Sequence, residues 1–542
     1  LLSEISDDAG MHILLKSWLR AWLMTLALVG TLAIWRFTFA TPRTWEPSEI
    51  PIAWWAWRQR TPSAAELKAA GLNQPNQLLF LRAGQLDQTP GGLRRIRAVE
   101  GHLPAGPELH LVYNATRALL GIFKQVPSDE LAAVIAANYA QDAQRAQQDC
   151  AKVAGLQLDL DVPSSALPQY GELLRALRQR LPAGTALSIT GLETWLGLPE
   201  VKGVLAATDY WIPQCYGAQI PQRLSQSVPI ATPAQVASLV SRAGELGQPF
   251  YAGLAAYGYA ILYATDGTLL ELRGDLNPSL IADHPDLDLV ERKPFNSPIP
   301  SWFSPPQMLA SEWRYVYRAQ RHCVIDGLVL RTGESLVLDV PSAAGLRASA
   351  QAVREHAGSA LLGLCVFRLP GAEDGTTLSQ AEIAAALSDS PSPISIKTSA
   401  TLQPKLASLT LTVSNHSATS SLLGARAFLI SLRIPTGSVR AWREPSASQR
   451  IETFCESTPG ETVQPCSWRR ANLLRLSANH LRSGEQLTVE LAGLPADLTQ
   501  LTTELEFRAD DGRLWQERRL IPLTVVDGSL QKPAQPDVRG EH

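Results

Sequence analysis

Along most of the chain, short apolar runs alternate with segments whose apolar residues recur every three to four positions. The runs are Ile52–Trp57, Gln77–Arg82, Leu109–Tyr113, Gly155–Asp161, Ala186–Thr190, Tyr210–Tyr216, Phe250–Tyr257 and Ala360–Leu369. Their length and apolar content predict buried strands. Helical patterns lie between them. One opens at Ser128-Asp129-Glu130 with N-cap chemistry and sets Leu131, Val134 and Ile135 on one face. Another carries Leu174, Leu177 and Leu181 and stops at Pro182 and Gly184. A third covers about Ala343 to His356. Strands alternating with helices predict a parallel sheet, and eight of them between residues 45 and 392 predict an α/β (β/α)8 barrel. No GxGxxG follows an early strand, which counts against a dinucleotide-binding sheet. The spacing breaks only after the seventh strand. Residues 259–341 read as an insertion, with strand-like Leu328–Arg331 and Leu336–Asp339.

From about Pro393 the period becomes two. Leu409–Val413, Phe428–Leu432, Leu487–Leu491 and Glu504–Phe507 alternate, separated by turn residues such as Pro435-Thr436-Gly437 and Asp510-Asp511-Gly512. That pattern predicts a β-sandwich over 393–527. The tail, 528–542, is rich in Pro, Gln and charge and predicts disorder. At the other end, Arg20 and Arg36 bracket an uncharged run from Ala21 to Trp35. As a helix it spans about 22 Å, short of a hydrocarbon core of about 30 Å. Trp18, Leu19 and Phe37–Ala40 extend it if both arginines snorkel. Residues 1–44 therefore read as a cytoplasmic stub and a membrane anchor, with 21–40 in the inner membrane. The alternative is a signal peptide cleaved after Thr38-Phe39-Ala40. The basic residues before the run put the rest of the chain on the periplasmic side, or outside the cell if cleaved.

Composition narrows the function. The 542 residues are 45% hydrophobic and 18% charged, with net charge -3. A large core is available, and neither general disorder nor a basic nucleic-acid binder fits. Arginine outnumbers lysine 39 to 9, and there are 14 tryptophans. The six cysteines form no CxxC pair; Cys455 and Cys466, in a polar stretch, could close a disulfide in an oxidising compartment. There is no HExxH, P-loop or GxSxG, so neither metal nor cofactor is expected.

The chemistry concentrates in Gly155-Leu-Gln-Leu-Asp-Leu-Asp-Val-Pro163. On a strand, Leu156, Leu158 and Leu160 face the helices while Gln157, Asp159 and Asp161 face the barrel interior. Asp159 and Asp161 fall at the C-terminal end of the fourth strand, where barrel active sites are built. Two carboxylates so close cannot both ionise cheaply, so one becomes an acid near neutral pH. A glycosidase needs such an acid. The plainer alternative is that these acids merely fill a polar barrel mouth.

The same segment resembles the D-G-x-D-x-D-x-E-x-P motif of family 18 glycoside hydrolases. Gly155, Asp159 and Pro163 match, and Asp161 stands where that family has its catalytic Glu. Gln214-Cys215-Tyr216-Gly217 resembles its M-x-Y-D, keeping the Tyr. More closely, the chain resembles an uncharacterised bacterial family of barrel proteins. That family shares an aromatic first strand (Trp54 to Arg58), acids two apart on the fourth, and Leu187-Ser-Ile-Thr190 on the fifth. The resemblance implies a glycoside-hydrolase-like barrel with Asp161 as general acid, Asp159 orienting it, and Gln157, Gln214 and Tyr216 holding substrate. The rim candidates are Trp57 and Trp195 for stacking, Glu193 as a further acid, and Arg58 for an acidic sugar or a carboxylate partner. Of that family's two substrate-supporting Asp residues, the middle one is kept as Asp159 and the one after Tyr is replaced by Gly217, while Gln157 replaces the first Asp of the run. Two readings follow: an exported protein that binds and hydrolyses a cell-envelope or extracellular polysaccharide, or a degenerate glycan-binding or structural envelope protein.

Overall fold

The computed structural model describes Glu46 and residues 50–526, except 218, 283, 300–306, 372–373, 389–392, 444–448 and 458–462. The expected anchor at 21–40, the stub before it and the tail 528–542 lie outside the described residues. Among the described residues no helix is long and apolar enough to cross a membrane.

Eight parallel strands close into a barrel. They are β1 (Ile52–Ala56), β2 (Leu78–Thr89), β3 (Glu108–Ala115), β4 (Lys152–Asp159), β5 (Ala186–Gly191), β6 (Tyr210–Pro213), β7 (Phe250–Ala255) and β8 (Leu361–Phe367). Each pairs with the next, and β1 pairs with both β2 and β8. The two-residue period sorts the side chains. Leu79, Leu111, Leu156, Leu158, Leu187 and Ile189 point outward into one core with Leu131, Ile135, Leu174 and Leu177 of the helices. Ala53, Trp55, Phe80, Val112, Tyr210, Ile212 and Cys365 fill the interior. Each fully buried large apolar side chain contributes about 1.5–3 kcal/mol.

Several elements depart from the expected pattern. The helix Ser128–Gln148 starts with Pro127 at the N-cap and no side-chain cap; Ser128 is already helical. Asp129 and Glu130 in its first turn favour the helix through its dipole instead. β2 runs seven residues past Arg82 and turns back through Gly92 (φ 99°) into the antiparallel strand Gly92–Ile96. After β7 comes an antiparallel sheet in the order Leu269–Arg273, Tyr259–Tyr263, Ser335–Pro341, Gln307–Ala319, Leu287–Ile299. Its two long strands carry charges that interrupt an apolar reading, among them Glu291, Arg292, Lys293, Arg314 and Arg318.

The C-terminal region is β-rich. The long strand Leu514–Val525 pairs antiparallel with Gln500–Arg508 and, at its far end, parallel with Ile396–Gln403. Leu402, Leu411 and Leu491 from one side meet Ile430, Leu474 and Leu505 from the other in a single core. A disulfide joins Cys455 and Cys466.

Asp374, just past β8, ties these parts together. Its carboxylate receives Arg58 Nη2 at 2.7 Å and Arg368 Nη2 at 2.9 Å. Arg482 of the β-rich region donates to the Asp374 carbonyl at 2.9 Å and to the Thr377 carbonyl at 3.1 Å. Asp374 is buried, so removing its carboxylate strands two guanidinium groups. Asp374→Ala should lower stability by roughly 2–4 kcal/mol in the first transition of a urea titration, with Asp374→Asn intermediate. A loss under 0.5 kcal/mol, on the order of a surface substitution, would show that the clamp carries no weight.

Candidate active site

The motif on β4 has a packing reason for its first residue. A Cβ at Gly155 would sit 2.3 Å from His110 Cε1 and 2.8 Å from the Ala186 carbonyl. No side chain fits beside His110, whose Nδ1 lies 2.7 Å from the Tyr210 hydroxyl inside the barrel. Burial pushes the His110 imidazole down to about 4, so it is neutral at physiological pH. Two residues on, Gln157 is fully buried and donates to Ser188 Oγ at 3.2 Å. It therefore belongs to the floor below the mouth, and a ligand cannot reach it in this conformation.

Asp159 ends β4 above that floor. Thr190 Oγ1 donates to its Oδ1 at 2.7 Å, and Gln214 Nε2 lies 3.4 Å from the same oxygen. The strand was expected to continue through Asp161, facing inward. Instead the chain turns at once, with Val162 N–H bonded to the Leu160 carbonyl at 2.8 Å. Leu160 and Val162 drop into the outer core, which leaves Asp161 exposed at the centre of the turn. The Gln214 amide bonds Asp161 as well, so one side chain spans both carboxylates.

The two acids titrate upward. Desolvation and then the Asp161 charge push the Asp159 carboxyl up to about 7, against the opposing pull of the Thr190 bond and Arg82. The Asp161 carboxyl is also raised, by the protein crowded around it, although its tip meets solvent. Asp159 therefore takes up its proton around neutral pH, beside an Asp161 whose hold on a proton is also strengthened.

Aromatic side chains wall the mouth. Tyr216 stacks on Phe367, centroids 5.7 Å apart and planes 21° apart, and meets Tyr257 edge-on at 5.7 Å. Trp57 packs edge-on against Trp55 and Phe367, and the Arg82 guanidinium covers its ring at 5.2 Å. Arg82 Nε also donates to Asn114 Oδ1 at 3.4 Å. The structure thus brings together Asp159, Asp161, Gln214, Tyr216 and Trp57. It adds Arg82, Asn114, Thr190, Tyr257 and Phe367. Strand parity could have found three of these, since Arg82, Asn114 and Thr190 lie two residues beyond the interior positions Phe80, Val112 and Ser188.

Three candidates stand elsewhere. Trp195 is fully buried in the outer core, its Nε1 donating to the Val162 carbonyl at 3.1 Å and its ring edge-on to Tyr170. It offers no stacking face. Arg58 is committed to Asp374 and Glu66, so its carboxylate partner comes from the protein. Glu193 lies beside Cys215, whose thiol is pushed up by burial and then by the Glu193 charge. Cys215 belongs to the outer core. Among the described residues, no three His, Cys, Asp or Glu side chains are grouped to hold a metal ion.

Fold and site together define a (β/α)8 barrel with a pair of acids at its mouth. Residues 118–279 match the family model described as "Domain of unknown function (DUF3142)". No curated protein matches the sequence. Solved structures similar to the chain include a chitinase from Chromobacterium violaceum, 15% identical over 62% of this chain and 99% of that one, TM-score 0.38. A family 18 N-acetylglucosaminidase from Paenibacillus barengoltzii is 11% identical over 63% and 99%, TM-score 0.37. A class V chitinase from Pseudomonas fluorescens is 16% identical over 62% and 99%, TM-score 0.38.

The raised Asp159 makes a stability prediction. In the unfolded chain an aspartate titrates near about 3.9. The folded state binds this proton more tightly, so stability falls as pH rises from about 4 through about 7. The ceiling on this loss is about 4 kcal/mol. Partial access of Asp159 to water reduces it to roughly 1–3 kcal/mol. Asp159→Asn does not titrate. About two thirds of that loss falls between pH 5 and pH 8, so the variant's stability relative to wild type should rise there by roughly 1–2 kcal/mol, read from denaturant melts at both values. A constant difference across this range would contradict a raised carboxyl.

Proposed function

We propose that the barrel mouth binds a cell-envelope or extracellular polysaccharide and cleaves its glycosidic bonds, with Asp161 as general acid. The observation that carries this reading is the acid pair joined by the Gln214 amide at the C-terminal mouth, where Asp159 takes up its proton around neutral pH. Glycosidic cleavage needs a proton delivered to the leaving oxygen and negative charge near the developing oxocarbenium ion. Asp161, open to the mouth, can reach a substrate; Asp159, tucked behind it and fixed by Thr190, orients it and keeps the proton within the pair. Tyr216 and Gln214 border the place where the sugar would lie. The matches to the family 18 motif at Gly155, Asp159, Pro163 and Tyr216 support the same assignment.

A binding-only reading is favoured by one feature. Asp161 is one methylene shorter than the Glu of that motif, and a misplacement of about 1 Å can cost about 100-fold in rate. Reducing-end release and glycan binding, measured together on a broad polysaccharide panel, separate the two. Asp161→Asn should cut turnover by about 10²–10⁴-fold while binding persists. Binding without release from the wild type would establish the second reading. Neither binding nor release on the whole panel would remove the site from consideration.

The export reading rests on the N-terminal segment 21–40 and gains support from the Cys455–Cys466 disulfide, since such bonds persist in oxidising compartments. The β-rich region, in this reading a sandwich, serves as a spacer or accessory module on the periplasmic face of the inner membrane. In intact cells, a membrane-impermeant maleimide should label Cys455 and Cys466 only after reductant and outer-membrane permeabilisation. Free, unlabelled thiols at both positions in such cells would place the region in the cytoplasm.

A further inference from the structure

Most arginines near the barrel mouth are already matched with carboxylates. Arg58 and Arg368 meet Asp374, and Arg95 meets Asp142. Arg82 does not. Among the described residues no carboxylate lies within ion-pair distance of it. Among the described residues its one hydrogen-bond partner is the Asn114 amide oxygen at 3.4 Å.

Its position is nevertheless fixed. Arg82 lies two residues beyond Phe80 on β2, at a register shift between Arg82 and Gly84, and so faces the mouth. The Trp57 ring lies 5.2 Å beneath its guanidinium, and Asn114 accepts from its Nε at 3.4 Å. It is half-buried, a setting in which an arginine without a counter-ion loses hydration without recovering it. Arg97 adds to the imbalance. It is exposed, lies close enough for its charge to disfavour the charged form of Arg82, and also has no carboxylate partner among the described residues. The nearest negative group, Asp159, acts on Arg82 only through space.

We propose that Arg82, supported by Arg97, is an anion-binding element of the mouth, and that the glycan accepted there carries a negatively charged sugar unit. This deepens the polysaccharide reading above and rests on it. A planar guanidinium pre-set on an aromatic face binds a carboxylate or sulfate through two parallel hydrogen bonds with little further ordering. The charged unit would sit on the β2 side of the acid pair. That site differs from the one expected of Arg58, whose charge is already spent inside the fold.

Calorimetric titration of the full chain with three tetrasaccharides tests this: an oligogalacturonate, a sulfated chondroitin fragment and neutral chitotetraose. The wild type should bind at least one charged ligand about tenfold or more tighter than the neutral one, a preference that shrinks as salt rises. A galacturonate preference identifies a carboxylate as the recognised group; a chondroitin-sulfate preference that disappears when the fragment is desulfated identifies a sulfate ester. Arg82→Gln should bring the charged ligands down to the level of the neutral one, and Arg82→Lys should restore part of the gap. Arg97→Gln, at an exposed position that leaves packing intact, should reduce the preference by a smaller factor. Equal wild-type affinity for charged and neutral ligands would overturn the proposal and leave the polysaccharide reading standing. Equal weakening of every ligand in Arg82→Gln would reassign the residue to positioning and overturn it too. Binding of none of the three would overturn this proposal, and failure across the wider panel would remove the polysaccharide reading itself.

Discussion

Closure of the eight strands gives β4 a neighbour on each side, and its two-residue period then has one outcome. Leu156 and Leu158 must face the helices, because only there can they join Leu174 and Leu177 in a dry core. Gln157 and Asp159 are thereby driven into the interior, where a polar group is tolerated only with partners. Ser188 supplies the partner for Gln157 and Thr190 for Asp159, both from β5, the adjacent strand. Shifting β4 by one residue would put leucines in the mouth and two polar groups into the helical core. The chemistry of the mouth is a by-product of that register.

The end of the strand matters as much as its interior. Had β4 continued, Asp161 would have been a second enclosed carboxylate close to Asp159. The turn at Leu160–Val162 brings Asp161 into contact with water, which lowers the cost of its charge. One acid is then partly screened and reachable while the other is hemmed in. That asymmetry separates their affinities for a proton, and Gln214 holds both in place without adding a charge.

Much of this was legible in the residues. All eight barrel strands, the helix Ala343–His356 and the change to a β-rich C-terminal region follow from period and length alone. The inward positions of Gln157 and Asp159 follow from parity. Other features were hidden for physical reasons. Leu287–Ile299 carries exposed charges at several positions, and Gln307–Ala319 buries Glu312 and Arg314, so their pairing leaves little apolar trace. The turn at Asp161 depends on Leu160 and Val162 both finding the outer core, a tertiary demand that overrides alternation. Trp195 looked like a rim residue because it follows β5. Its indole reaches instead beneath that rim to the Val162 carbonyl.

Arginine usage shows how one residue type serves two purposes. A guanidinium stays charged when half-buried and offers several donors in a fixed plane. At Asp374 this lets Arg58 and Arg368 grip one carboxylate from the ends of β1 and β8, while Arg482 reaches the adjoining backbone from the β-rich region. Arg58 divides its two terminal nitrogens between Glu66 and Asp374, which the single nitrogen of a lysine could not do. At the mouth the Arg82 guanidinium lies over the Trp57 ring at 5.2 Å with no carboxylate partner among the described residues. A cation in the first setting is neutralised and fixes the architecture; in the second it is fixed by the architecture and left unneutralised. Part of the excess of arginine over lysine in this chain therefore has a mechanical source, and the presence of a carboxylate partner distinguishes those arginines from Arg82.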